Sequence, residues 1–245
     1  MRLPLASGLL LGVLCGNVVA QEQPTMHAPD GGTRERIESL TILPTPNAPF
    51  TATVTTELTK ILADGSQQTN WNRRTIARDS SGRIFQERRF FQPDGNKVPT
   101  KVSELDYADP GRHERDVCRT AEKVCYVYRY YAPETVKMMP AGPLPNGTGT
   151  VTREELGRRT IEDVDVIASR ETATLNKGAV GNDKSEPIVK EFWYSPRLQI
   201  NVITKRFDPR FGAQNFMVSN INQSEPDPKL FALPEGYRTV KMNGQ

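Results

Sequence analysis

Histidine is nearly missing from this chain. The 245 residues hold two, His27 and His113. A Ser-His-Asp triad has to use one of them, and no Gly-x-Ser-x-Gly elbow accompanies either. His113 sits in Arg112-His113-Glu114-Arg115, which reads as a charged, solvated strand edge. Metal-binding spacings are missing as well. There is no His-Glu-x-x-His, no Cys-x-x-Cys and no phosphate-cradling glycine loop, so no metal or cofactor is expected. Carboxylates are plentiful, but the candidates Glu162, Asp163 and Asp165 occupy a turn, and Asp109, Asp208 and Asp227 each precede proline. Acidic residues in those settings initiate turns rather than catalyse. The chain is not expected to be an enzyme, and a hydrolase is the least supported class.

A charge excess of one sign is lacking too. Lys and Arg total 32 against 29 Asp and Glu, a net charge of +3. That balance argues against nucleic acid or an anionic membrane as partner. Arg73-Arg74 and Arg88-Arg89 lie near Trp71, Phe90 and Phe91, and they read as solvated strand faces rather than a nucleic-acid platform. Long hydrophobic runs are also absent, apart from residues 3–14, which follow Arg2 and precede Val18-Val19-Ala20. A lone positive charge, a short apolar run and small residues describe a secretory signal peptide over residues 1–20, with cleavage near Ala20. The other reading of this segment is a lipoprotein signal with Cys15 as the acylated residue, although Leu14 stands where a small residue is usual. No later run suits a membrane helix, so the mature chain is expected to have no transmembrane segment and to reside in the periplasm or outside the cell.

Cysteine is sparse: Cys15, Cys118 and Cys125. Loss of residues 1–20 leaves two, which in an exported chain read as one disulfide rather than two free thiols. A hairpin with a four-residue loop at residues 120–123 sets Cys118 opposite Cys125.

What the chain does contain is two-residue alternation punctuated by turns. Residues 21–48 read as a mobile leader, with room for a short helix over residues 33–43 before Pro44 and Pro46. From Phe50 onward, Phe50, Ala52, Val54 and Leu58 fall on one side, with Thr56 as the exception. That is a half-buried strand. Ala63-Asp64-Gly65-Ser66, Ser80-Ser81-Gly82, Pro93-Asp94-Gly95-Asn96 and Asp109-Pro110-Gly111 then mark successive turns. Residues 132–150 carry Pro133, Pro140, Pro143 and Pro145 with three glycines. They read as a crossover between two halves of one sheet, the other reading being a domain boundary. Met138-Met139 within it suggests either an apolar flap or ordinary packing. Residues 151–161 and 164–175 form a hairpin around Glu162-Asp163. Leu198, Ile200 and Val202 face one side of a later strand, and Phe192-Trp193-Tyr194 places bulk on both faces of its neighbour. Asp227-Pro228 begins a closing turn in which Phe231 plugs one end of the sheet or gates a hollow. About ten strands and few helices are expected, in a single β domain over residues 49–240.

The turn residues in their order carry a resemblance. Ala63-Asp64-Gly65, residues 78–83 (Arg-Asp-Ser-Ser-Gly-Arg), Asp109-Pro110, Leu156-Gly157, residues 161–164 (Ile-Glu-Asp-Val) and Gly181-Asn182 form its first part. Residues 191–195 (Glu-Phe-Trp-Tyr-Ser), Asp208-Pro209-Arg210, Asn220-Ile221, residues 225–228 (Glu-Pro-Asp-Pro), Leu230-Phe231 and residues 234–237 (Pro-Glu-Gly-Tyr) form its second. Over most of residues 50–237 the chain resembles exported bacterial proteins related to the lipoprotein-carrier half-barrel group. That group includes LolA, LolB and the amino-terminal domain of RseB. The resemblance implies a mainly β fold: a single curved antiparallel sheet, a half-barrel, around an apolar hollow. Two features depart from the pattern. Asp163 and Ser169 stand where glycine is expected, and the long lid helices of the carriers have no counterpart.

Three functional classes follow. The first is an envelope protein that holds a hydrophobic, lipid-like moiety or an acylated partner such as a lipoprotein on the concave face. Its candidate ligand-lining residues are Trp193, Leu198, Ile200, Val202 and Phe231. The second is a structural or regulatory module that binds another envelope protein and no small ligand. The third is the hydrolase already set aside.

Overall fold

The computed structural model describes residues 30–32, 37–133 and 140–242. The expected signal peptide, residues 21–29 and 33–36 of the leader, and Met138-Met139 lie outside them. Among the described residues, a short hairpin comes first, β1 (Asp30–Gly32) with β2 (Ile37–Leu40). The main sheet opens with β3 (Phe50–Ile61), β4 (Gln67–Arg78), β5 (Ile84–Arg89), β6 (Val102–Asp109), β7 (Glu114–Arg119) and β8 (Val124–Arg129). It continues with β9 (Gly142–Pro143), β10 (Gly149–Ile161), β11 (Val164–Leu175), β12 (Glu186–Ser195), β13 (Ile200–Asp208), β14 (Gly212–Asn222) and β15 (Arg238–Lys241). Two 3-10 turns, Pro145–Gly147 and Pro228–Phe231, complete the inventory.

Thirteen of these strands form one sheet, in the order β15-β8-β7-β6-β5-β4-β3-β14-β13-β12-β11-β10-β9. The sheet is curved and unclosed, and every pairing in it is antiparallel except β15 on β8. The topology is two meanders seamed at the centre. One runs outward from β3 to β8, the other returns inward from β9 to β14, and β14 pairs with β3. In the strand order β8 lies next to one end, beside β15, and β9 lies at the other.

Alternation decides what is buried. In β3, Phe50, Ala52, Val54 and Thr56 are all buried, so the threonine in the apolar phase stays inside. Along β4 and β5 neighbouring residues divide between two clusters. Ile76 and Ile84 join a large one with Phe50, Val54, Val166, Ile200, Phe216 and Val218. Ala77 and Phe85 join a smaller one with Tyr107, Cys118 and Cys125. Successive side chains of a strand point to opposite faces, so the two clusters lie on opposite sides of the sheet. The side with the larger cluster is called the inner face below.

The disulfide joins Cys118 to Cys125, directly opposed in the β7–β8 hairpin across the expected four-residue loop. Both cysteines are fully buried in the smaller cluster. Replacing both with serine should lower unfolding stability by about 2–3 kcal/mol, the loop-entropy value for so short a closure. Denaturant titration with and without reductant checks this. An unchanged midpoint in reductant means the bridge adds nothing to hairpin packing.

Two expectations need correction. Residues 37–40, placed in a short helix, are strand β2. Residues 40–48, placed in a mobile leader, are an arm packed on the sheet, with Leu40, Ile42, Leu43 and Ala48 all buried. Their apolar side chains have the inner face to cover, and Pro44 and Pro46 hold them extended rather than helical. The β10–β11 turn also repays attention to geometry: Glu162 and Asp163 both have positive φ, 50° and 60°. A two-residue turn with φ > 0 at both positions matches the twist of its strands. It usually takes Asn-Gly, and here two acidic side chains accept the conformation.

Candidate functional site

The five residues expected to line a ligand do not stay together. Leu198, Ile200 and Val202 lie in the large cluster at 1%, 0% and 0% exposure. They are packed core. Leu198 precedes β13, in a turn where Gln199 takes φ 51°. Val202 is the extra residue at a bulge, since Trp193 pairs with Ile203 and Tyr194 with Asn201. Trp193 packs at the margin of that cluster. Its indole Nε1 donates to Glu191 Oε1 at 2.8 Å, and the Arg159 guanidinium lies 5.0 Å from the ring centroid. Phe231 is on the other side of the sheet, packed against the smaller cluster under Arg83 at 4.9 Å. It borders a separate cavity of about 410 Å³ with Tyr107, Asp116 and Leu233. Asp227 caps its 3-10 turn by accepting from the Lys229 backbone N–H at 2.9 Å. Phe231 is thus a plug on the outer face and shares no hollow with the other four.

Open space on the inner face lies instead in two places: over the amino-terminal meander, as a cavity of about 350 Å³, and towards the far end of β3, β13 and β14, as one of about 300 Å³ beside Leu58, Arg206 and Gln214. One wall of the former is apolar: Leu40 and Ile42 of the arm, with Ile84 and Ala108 from β5 and β6. The rest of the lining is polar: Gln86, Arg88, Asp106, Arg115, Arg129 and Tyr130. The strand register gathers them, since Gln86 pairs with Asp106 and Ala108 with Arg115. Asp106 is the hub. It accepts from Arg115 Nε at 2.9 Å and Nη2 at 2.7 Å, and Arg88 lies 3.6 Å away. Hydrogen bonding to Asp106 holds the Arg115 guanidinium above its ordinary pKa despite burial. Arg74, on the same face, is 4% exposed and donates from Nη1 to Gln86 Oε1 at 3.2 Å. Burial first, and then repulsion from Arg88, lowers its pKa to about 9. Burial raises the Tyr130 hydroxyl.

A second arginine anchors the arm that walls this cavity. Arg78 is the largest fully buried side chain among the described residues. Its Nη1 donates to Leu43 O at 2.7 Å, its Nε and Nη2 to Ala48 O at 2.9 and 2.7 Å, and its Nη2 also to Leu198 O at 2.8 Å. The guanidinium lies 5.1 Å from the Phe50 ring centroid. Burial lowers its pKa to about 10, so it remains charged at neutral pH.

Arginine pairs read from the sequence as solvated faces therefore divide. Arg73 is exposed, whereas Arg74 is buried. The available signal was phase, because Arg74 and Arg78 fall in step with the apolar Ile76. The acidic candidates stay apart from the cavity. Glu162, Asp163 and Asp165 are exposed in their turn, and so is His113, with φ 54°. Among the described residues no three or more His, Cys, Asp or Glu side chains group to hold a metal.

Comparison with known proteins places the chain beside solved structures only. No family model matches it, and no curated protein does. It is similar to MucB in its complex with MucA from Pseudomonas aeruginosa, at 9% identity and a TM-score of 0.41, covering 79% of this chain and 58% of that one. A LolA-superfamily protein from Nitrosomonas europaea matches at 10% identity and a TM-score of 0.28, covering 76% of this chain and 91% of that one. The lipoprotein LppX of Mycobacterium tuberculosis matches at 9% identity and a TM-score of 0.28, covering 72% and 88%. The chain spans less than two thirds of the length of the MucB structures it matches. The half-barrel group indicated by the turn motifs is among these matches.

Proposed function

We propose that this is an exported envelope protein that holds a lipid-like group, free or as the acyl chain of a partner such as a lipoprotein, on the inner face of its half-barrel. The observation that carries the reading is the inner-face cavity between the arm and β5–β6. Its volume lies at the lower end of small-ligand sites, and an apolar wall facing a few convergent polar groups is their usual composition. The signal-like residues 1–20 support export. The reading is one of binding rather than catalysis, because the polar wall offers arginines and one carboxylate already bonded to Arg115, with no base poised beside a nucleophile.

One observation favours the second reading, an interaction module without a small ligand: Leu198, Ile200 and Val202 fill their part of the inner face completely. Native mass spectrometry of protein purified from the exported fraction separates the two. Under the proposal an added lipid mass is seen, and delipidated protein takes up a hydrophobic dye. Protein that carries no extra mass and takes up no dye overturns the proposal in favour of the second reading.

A further inference from the structure

We propose that the polar wall of the inner-face cavity is an anion site that receives the phosphate or carboxylate head of the bound molecule, the apolar remainder lying against Leu40, Ile42 and Ile84. This rests on the preceding reading and adds the chemistry of the ligand's head.

Charge count is the first argument. Arg88, Arg115 and Arg129 line the cavity and Arg74 abuts it through Gln86, yet Asp106 is the one acidic side chain lining it among the described residues. Nearby carboxylates are engaged elsewhere. Glu87 points to the other face and pairs with Arg89 at 3.0 Å, Glu114 pairs with Arg112, and Glu104 lies 3.8 Å from Arg119. A chain of nearly balanced charge has thus gathered a local excess of guanidinium groups in one concavity.

Incomplete bonding is the second. Among the described residues, Arg74 Nη2 is buried with no hydrogen-bond partner, and so is the Tyr130 hydroxyl. A buried donor left without a partner is unfavourable, and more so when it is charged. The depressed pKa of Arg74, caused by burial and by Arg88, describes the same deficit. An oxyanion answers both needs, because guanidinium groups bind phosphate and carboxylate through paired, charge-assisted hydrogen bonds. Had the arginines served only to knit the sheet, acidic partners of matching number would be expected inside the cavity, and of the two carboxylates that β6 places on this face Asp106 lines it while Glu104 lies towards Arg119.

The apolar wall is the third. Inorganic phosphate needs no hydrocarbon beside it, whereas Leu40, Ile42 and Ile84 border the same volume. An amphiphile with an anionic head matches both walls.

The test uses purified, delipidated protein and two fluorescent probes, 11-(dansylamino)undecanoic acid and its methyl ester, with inorganic phosphate as a third ligand. The acid is expected to bind at least tenfold more tightly than the ester. Arg74→Gln should remove most of that preference, weakening the acid far more than the ester. Arg129→Gln, at an exposed position, should reduce it about threefold, and it keeps the test open if Arg74→Gln does not fold. Equal affinity for acid and ester overturns the anion site and leaves the apolar-binding reading standing. Protection from thermal unfolding by phosphate, lost in Arg129→Gln, with neither probe bound, supports the anion site and overturns the lipid-like ligand. Binding of none of the three overturns both.

Discussion

Arg78→Met should lower the free energy of unfolding by about 3–5 kcal/mol. The substitution keeps much of the side chain's length and apolar stem, so packing against Phe50 largely survives. What disappears is the set of donors to Leu43, Ala48 and Leu198. Three carbonyls then remain in a site from which water is excluded, and each unmet acceptor costs about 1–3 kcal/mol. Part of this is offset, because a buried guanidinium carries a desolvation cost of its own that methionine does not. The carbonyls come from two places distant in sequence, the arm at residues 43–48 and the turn before β13. The loss should therefore be visible locally. Amide exchange at Asn47, whose N–H bonds Ser80 O at 2.9 Å, should accelerate at least as much as exchange in β3. Arg78→Lys should recover only part of the loss, since an ammonium lacks the planar fork that reaches three carbonyls. Urea titration and hydrogen exchange measure both effects. If the Met variant unfolds within about 0.5 kcal/mol of the parent, the arm is held by Leu40 and Ile42 alone.

The arm also marks the boundary of what the chain discloses residue by residue. Strands β3 to β8 and β10 to β14 were legible because alternation and Gly-, Asn- or Asp-containing turns are local signals. Cys118 and Cys125 were legible because their spacing fits a single hairpin. Residues 40–48 were not, since their burial depends on a contact with Arg78 at least 30 positions away, and nothing in a proline-containing, partly polar stretch announces such a partner. The parallel pairing of β15 with β8 was hidden for the same reason. The candidate site was half legible. Periodicity identified Leu198, Ile200 and Val202 as inward-facing, but it cannot distinguish a side chain that lines a hollow from one that fills it. Phe231 was open between a plug and a gate, because a turn carries no alternation from which to read a face. The arginines were missed because charge was weighed by composition, whereas Arg74 and Arg78 sit in phase with Ile76. A charged residue in the apolar phase of a strand is the stronger signal, because it must be bonded, paired or left for a ligand.

Ile200→Ala distinguishes lining from filling by experiment. Ile200 has no exposed surface and shares a cluster with Phe50, Val202 and Phe216. Deleting its three outer carbons removes apolar burial and leaves a void that the sheet, held by hydrogen bonds on both sides of β13, cannot readily close. The expected cost is about 2–5 kcal/mol, the range for aliphatic truncation in a packed core. A residue that merely lined an open hollow would lose far less, because no packed neighbours would lose contacts. Ligand affinity should not respond. The cavity lies over β5 and β6, away from β13, so the fluorescent acid should bind the folded variant as tightly as the parent. Denaturant unfolding alongside probe titration measures the two together. Substantial destabilisation with unchanged affinity fits a filled core around Ile200 and an open space over the amino-terminal meander. Small destabilisation with weakened binding instead places the ligand against Leu198, Ile200 and Val202 and requires this core to open when the ligand enters.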